Sequence, residues 1–290
     1  MPEPHLFVLD GGGSSCRAAL YSTDGQERGR ATGGFANLTS DFETSHTHIE
    51  RVIAATYRAA ARPPTAQVHD IAVLGVAGAE FGDAADRLRT LLPFADTTVL
   101  SDRHTSMAGI LGRGDGTLAQ IGTGSFFISR TAGRRVEIGG WGLILGDECS
   151  GAWLGRELLR TALRALDGIE PDTDLTRRVR ARHGDDPRAV VLFASTATPG
   201  AFAELAPDIF AAATTGDPAA SAILSRAIVD LERCLDVLSG DTDQPIYLCG
   251  GVGRHYAPML APALRSRLRE PQGDGLSGAL GLARARLRDA

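Results

Sequence analysis

Leu6-Phe7-Val8-Leu9-Asp10-Gly11-Gly12-Gly13-Ser14-Ser15-Cys16-Arg17 is the stretch that decides how this chain is read. The apolar run reads as a strand. The glycines behind it let bare backbone N–H groups come close to a ligand, most often a phosphate. A Rossmann fingerprint would need a helix after the glycines, and a Walker loop would need a lysine. Cys16 to Ser22 reads instead as a second short strand, and all 30 basic residues of the sequence are arginine. The unit is therefore strand, glycine turn, strand, with Asp10 on one side of the tip and the hydroxyls of Ser14 and Ser15 on the other. Taken alone it is equally an ordinary glycine hairpin in which Asp10 is a turn residue.

Working outward, Asp24-Gly25 marks a second hairpin turn, and Gln26 to Ala31 a third strand. The loop Gly33-Gly34-Phe35-Ala36-Asn37-Leu38-Thr39 follows, then a helix over about 41–62 that stops at Pro63-Pro64. Asn37 is either an Asx-turn residue or a ligand-facing amide. Ile71 to Val76 reads as a buried strand, Asp83 to Leu92 as a helix, and Thr97 to Leu100 as a strand ending at Ser101-Asp102. Strands alternating with helices imply parallel pairing, with functional residues at the carboxyl ends of strands. Asp102 sits at such an end, and its position fits a helix cap as well as a functional acid.

A second strand, glycine turn, strand unit follows: Thr117 to Ile121, then Gly122-Thr123-Gly124-Ser125, then Phe126 to Ser129. The duplication implies two similar domains whose hairpin tips face one cleft. There, backbone amides and the hydroxyls of Ser14, Ser15, Thr123 and Ser125 would grip a polyphosphate without lysine. Gly139-Gly140-Trp141-Gly142 and Asp147-Glu148 share a glycine-rich loop ahead of a helix over 152–166. Glu148 there fits a favourable helix-dipole position, and Asp147 fits a carboxylate for vicinal hydroxyls. Residues 172–240 read as helices. Pro245 to Cys249 is one more strand, followed by a glycine turn at Gly250-Gly251-Val252-Gly253, a helix over about 257–270, and a closing helix over 278–289.

Length and composition bound these readings. At 290 residues, 43% hydrophobic and 22% charged, the chain fits two globular domains or one large one. A net charge of -5 argues against a nucleic-acid partner. Four cysteines without a C-x-x-C pair point to a reduced, cytoplasmic setting rather than to disulfides or zinc. No apolar run is long enough to span a bilayer, so no membrane partner is expected.

Together the three glycine turns, the acid at a strand end and the Gly-Gly-Trp-Gly loop resemble the sugar-kinase branch of the actin, hexokinase and chaperone ATPase superfamily. The match is to the glucosamine and N-acetylglucosamine kinase group, similar to BadF/BadG/BcrA/BcrD-type ATPases, and it covers nearly the whole chain. The resemblance implies an α/β fold of two ribonuclease-H-like, actin-like ATPase domains facing across a nucleotide and sugar cleft. The expected domains are 1–104, completed by the C-terminal helix 278–290, and 105–277. It further implies an ATP-dependent kinase acting on the 6-hydroxyl of an amino sugar, with glucosamine first and N-acetylglucosamine as the alternative. ATP and its phosphates would lie against Gly11, Gly12, Gly13, Ser14, Ser15, Gly122, Thr123, Gly124, Ser125, Gly250, Gly251 and Gly253. The sugar would be surrounded by Asn37, Thr123, Gly124, Gly140, Trp141 and Asp147. Asp102 would be the base, Asp10 would hold Mg2+, and the protein would be a homodimer. Where the family often has Thr-Lys-Thr or Thr-Ser after its glycines, this chain has Ser14-Ser15-Cys16-Arg17. A partner-directed ATPase switch is the other implied reading, although the cysteines form no recognisable iron–sulfur motif.

Overall fold

Strand β1 (His5–Gly11) buries both of its faces: Phe7 and Leu9 on one side, Leu6 and Val8 on the other. That pattern demands cover above and below. The structure, a computed structural model, describes residues 3–240 and 242–289. Its contacts divide the chain into two units, Met1–Gly114 with Pro271–Ala290, and Asp115–Glu270.

In the first unit, β1, β2 (Cys16–Ser22) and β3 (Glu27–Gly33) form the expected antiparallel meander. Helix α1 (Phe42–Ala59) follows, its N-terminus capped by Asp41, which accepts from Thr44 N. It packs Ile49, Val52, Ile53 and Tyr57 beneath Phe7 and Leu9. Strand β4 (Ile71–Val76), helix α2 (Ala84–Leu91), strand β5 (Asp96–Ser101) and helix α3 (Asp102–Leu111) complete the N-terminal part. The sheet order is β3-β2-β1-β4-β5, with β4 parallel to both β1 and β5. The opposite face of β1 is covered by the C-terminal helix Gly275–Asp289, through Leu276, Ala279 and Ala283.

The C-terminal helix also touches α3 backbone to backbone: a Cβ on Gly278 would collide with Thr105 O, and one on Gly109 with Asp274 O. Asp274 starts this helix by a reciprocal cap, accepting from Ser277 N at 3.0 Å while Ser277 Oγ accepts from Asp274 N at 2.7 Å.

The second unit repeats the plan in reduced form. Strands β6 (Gly116–Ile121), β7 (Ser125–Thr131) and β8 (Arg134–Gly139) form an antiparallel meander, and β9 (Ile246–Cys249) pairs parallel to β6, giving the order β8-β7-β6-β9. Between them run α4 (Gly142–Leu145), α5 (Gly151–Leu166), α6 (Asp174–Ala181), α7 (Pro187–Thr196), α8 (Pro199–Ala203), α9 (Ala206–Thr214) and α10 (Pro218–Ser239). The core of this unit packs Ile121 and Phe127 of the sheet against Leu154 and Leu158 of α5 and Ile223 and Leu231 of α10.

Two expectations fail locally. Gly250–Gly253 is not a turn ahead of a later helix but the first turn of α11 (Gly250–Tyr256), which begins directly after the extended Cys249. Nor does one helix run over 257–270: Pro258 and Pro262 break it into a 3-10 turn, Ala257–Met259, and α12 (Pro262–Ser266).

One buried ion pair anchors the N-terminal strand. The Asp70 carboxylate, fully withdrawn from solvent, accepts from Tyr57 Oη at 2.6 Å, from Arg62 at 2.6 and 3.0 Å, and from His5 N at 2.8 Å. Removing one partner of a buried pair strands the others. Asp70→Ala is therefore expected to lower the unfolding free energy in urea by about 3 kcal/mol, and a loss under about 1 kcal/mol would show that the network contributes little.

Candidate functional site

The site of the first unit is set by where parallel strands stop. In the sheet register Gly11 of β1 lies beside Val76 of β4, and Val76 beside Ser101 of β5, so the three carboxyl ends form one row. Asp10 sits one residue before that row and Asp102 one residue after it. Asn37 joins it through a parallel bridge to Ala77, whose N–H donates to Gly11 O at 2.9 Å. Three residues that the sequence separates by up to 92 positions are thus gathered along one sheet edge.

The glycine turn is tight. Gly12 N donates to Ser15 O and Ala36 N to Gly12 O, both at 2.9 Å, and a Cβ on Gly11 would crowd Ala36. Ser14 and Ser15 are exposed at the tip. Asn37 makes the Asx turn: its Oδ1 accepts from Thr39 N at 3.1 Å, Ser40 N at 3.2 Å and Thr39 Oγ1 at 2.8 Å. Because the turn uses only Oδ1, the Asx-turn reading of Asn37 does not exclude a ligand-facing amide.

Asp102 opens α3 behind the cap Ser101, whose hydroxyl accepts from Arg103 N. A helix N-terminus favours a carboxylate, yet burial dominates. Desolvation, reinforced by the negative charges of Glu80 and Asp10 and opposed by Arg103 and the Ser101 hydroxyl, raises Asp102 to about 7. Beside it Arg103 pairs with Glu80 at 3.2 Å. Asp10 is also pushed up by desolvation, against the pull of Arg17, which donates to Asp10 Oδ2 at 2.6 Å.

The second unit builds its site on the same plan. Between β6 and β7, Gly122 N donates to Gly124 O at 2.9 Å, closing the turn. Asp147, in left-handed backbone at φ 57°, points its carboxylate at this turn: Oδ1 accepts from Ser125 N at 3.2 Å, and a Cβ on Gly124 would press against it. Gly151 N and Ala152 N, at the start of α5, donate to the carbonyls of Gly122 and Thr123. Gly250, at φ 82°, lies so close to the end of β6 that a Cβ would strike Ile121 O. Thr123, Gly124, Asp147 and Gly250 therefore cluster at the carboxyl end of β6, with Gly140 and Trp141 on the adjoining loop.

Ser125, expected among the phosphate donors, is buried and donates its hydroxyl to Glu148 O at 2.8 Å, so it shapes the loop instead. Trp141 is 64% exposed, and its neighbours Ile144 and Leu145 more so.

Sequence reasoning missed Arg17, Asp274 and Glu80. The first was within reach, since a hairpin closing at Gly11 and Cys16 places Arg17 directly opposite Asp10. The other two are brought in by loop and helix packing that no local pattern announces.

A family model described as the BadF/BadG/BcrA/BcrD ATPase family matches residues 9–282. The chain is 30% identical over 274 residues to the glucosamine kinase GspK of Vibrio cholerae serotype O1, covering 94% of this chain and 93% of that one. It is 26% identical over 249 residues to the N-acetyl-D-glucosamine kinase of Dictyostelium discoideum, covering 78% and 77%. A solved structure from Chromobacterium violaceum, described as an N-acetylglucosamine kinase candidate, superposes with a TM-score of 0.89 at 34% identity, covering 97% of this chain and 99% of that one.

The raised Asp102 has a consequence for stability. Its carboxyl binds a proton more tightly folded than unfolded, so its contribution is fully present below about pH 3.8 and is lost as the pH rises through about 7. Asp102→Asn is therefore expected to melt about 3 °C above the wild-type protein at pH 8, with the gain vanishing near pH 4. Equal melting at pH 8 would show that the carboxyl is not held near neutrality.

Proposed function

The chain belongs to the BadF/BadG/BcrA/BcrD ATPase family, and from that premise we propose that it phosphorylates the 6-hydroxyl of an amino sugar, glucosamine before N-acetylglucosamine, with ATP as donor. It is a sugar kinase, and hence a phosphotransferase with an alcohol acceptor. The observation that carries phosphoryl transfer is the single row of strand ends bearing Asp10, Asn37 and Asp102, with the Asp102 carboxyl raised to about 7, and the likeness to a glucosamine kinase over 94% of the chain supports glucosamine as the acceptor.

Phosphoryl transfer runs through a loose transition state, so the protein's task is alignment and charge stabilisation. Asp102 accepts a hydrogen bond from the sugar hydroxyl and takes its proton as the oxygen bonds to the γ-phosphorus, while ADP leaves with the electrons of the bond that breaks. A base titrating near 7 is half ionised at neutral pH and strong enough to take that proton late in the step. Asn37 Nδ2 would donate to a sugar hydroxyl, and Asp147 would accept from vicinal hydroxyls. The backbone amides of the two glycine turns, with Ser14, Ser15 and Thr123, would meet phosphate, and the glycines of α11 would lie against the nucleotide. Good alignment of two bound reactants contributes on the order of 7 kcal/mol to lowering a barrier, more than the basicity of one carboxylate.

Mg2+ belongs to the same proposal. Asp10 fits it: one hard carboxylate, already against a cation in the form of Arg17, is the donor that Mg2+ takes while phosphates and waters supply the rest. The ion would screen the charge of the β- and γ-phosphates. A cytoplasmic setting fits four cysteines that are all free thiols, and the homodimer remains part of the proposal. No described helix is long and apolar enough to cross a membrane.

Coupled ADP release with Mg-ATP and, separately, glucosamine, N-acetylglucosamine, glucose or no sugar tests the reading. Release dependent on an amino sugar, highest with glucosamine, is expected; equal release in every well would favour an ATPase that acts on a partner protein. Asp102→Asn should lower sugar-dependent kcat at least about a hundredfold while nucleotide binding by calorimetry stays near wild type.

A further inference from the structure

Arg17 is not absorbed by the roles above. It stands on β2 directly across from Asp10, and its guanidinium forks between two carboxylates: Nη2 to Asp10 Oδ2 at 2.6 Å and Nη1 to Asp274 Oδ2 at 2.9 Å. The two acids are placed differently. Asp10 is the more enclosed, its side chain 20% exposed, with Gly275 so close that a Cβ there would collide with Oδ1. Asp274 is 47% exposed and is fixed from behind by its cap with Ser277. Arg17 itself is 42% exposed, so its head is free to move without disturbing the core. The carboxylate that would hold Mg2+ therefore already carries a cation, and that cation has a second berth immediately beside it.

We propose that Arg17 is a positioning residue for the metal nucleotide: its guanidinium occupies Asp10 until a divalent cation arrives, then stays paired with Asp274 alone. This rests on the assignment of Asp10 as the metal carboxylate. A largely enclosed carboxylate left without a cation would be costly, and Arg17 offsets part of that cost while the metal is away. Asp274 then keeps the displaced guanidinium close to the glycine turn, where it can balance phosphate charge. The alternative is a hairpin pair that only stabilises the strands, and the two accounts differ in sign.

The test is binding of Mn2+ alone to the full-length protein, read from the free-ion EPR signal, with circular dichroism confirming that each variant is folded. Arg17→Met should bind Mn2+ about tenfold more tightly than wild type, since the ion no longer competes with a charge-assisted hydrogen bond. Asp274→Asn should bind about threefold more weakly, because the guanidinium has lost its second berth. In the Arg17→Met background the same substitution should change affinity by less than about twofold. Unchanged, weaker or unmeasurable binding by Arg17→Met, or an Asp274→Asn effect that persists without Arg17, overturns the proposal. Wild-type Mn2+ binding that survives Asp10→Asn would instead overturn the metal assignment beneath it.

Discussion

The register of three parallel strands is the constraint on which the first unit depends. Because β4 pairs in step with both β1 and β5, Gly11, Val76 and Ser101 end in one row, and whatever follows each strand is delivered to one edge. The glycine turn follows β1 and helix α3 follows β5, while the bridge of Asn37 to Ala77 pulls in the loop after β3. A slip of one residue in either pairing would mismatch the residues that pack against α1 with those that pack against the C-terminal helix, so two different covers on the two faces hold the register that the chemistry needs. The two helices covering that sheet are part of the same device. The C-terminal helix packs Leu276 and Ala279 under β1 and delivers Asp274 beside Arg17, and it meets α3 closely because Gly109 and Gly278 carry no side chain.

Electrostatics then follow from position. The row concentrates acids, Asp10, Asp102 and Glu80, where solvent is partly excluded, and arginines answer two of them: Arg17 beside Asp10 and Arg103 beside Glu80. Asp102 is raised by its surroundings because burial outweighs both the helix dipole and Arg103. The second unit also sets a carboxylate against its glycine turn. Its carboxylate, Asp147, is spent partly on the turn it abuts, which suits a group that holds and orients rather than one that takes a proton.

Much of this was legible in the sequence. The strand, glycine turn, strand unit was readable twice because periodicity, turn residues and hydroxyls agree at both places, and the closing helix because its apolar spacing is regular. Other parts were hidden for physical reasons. Strand β8, Arg134–Gly139, is an edge strand whose residues are all exposed or half-buried, and its alternation is confined to Arg135-Val136-Glu137-Ile138, too short to mark a strand by itself. Gly250, Gly251 and Gly253 look like a turn by composition. They form helix instead, Gly250 being required by its close approach to Ile121 O at positive φ. Asp274 reaches Arg17 only through the packing of the C-terminal helix, an ion pair across 257 positions that no local pattern encodes.

The central claim is transfer of phosphoryl to a sugar hydroxyl at this site, and 31P NMR of the products reads it directly. With Mg-ATP and glucosamine, a phosphomonoester resonance coupled to the two C6 protons should grow in step with ADP, with little inorganic phosphate. ADP accompanied only by inorganic phosphate, with no sugar phosphomonoester from either amino sugar, would contradict the account.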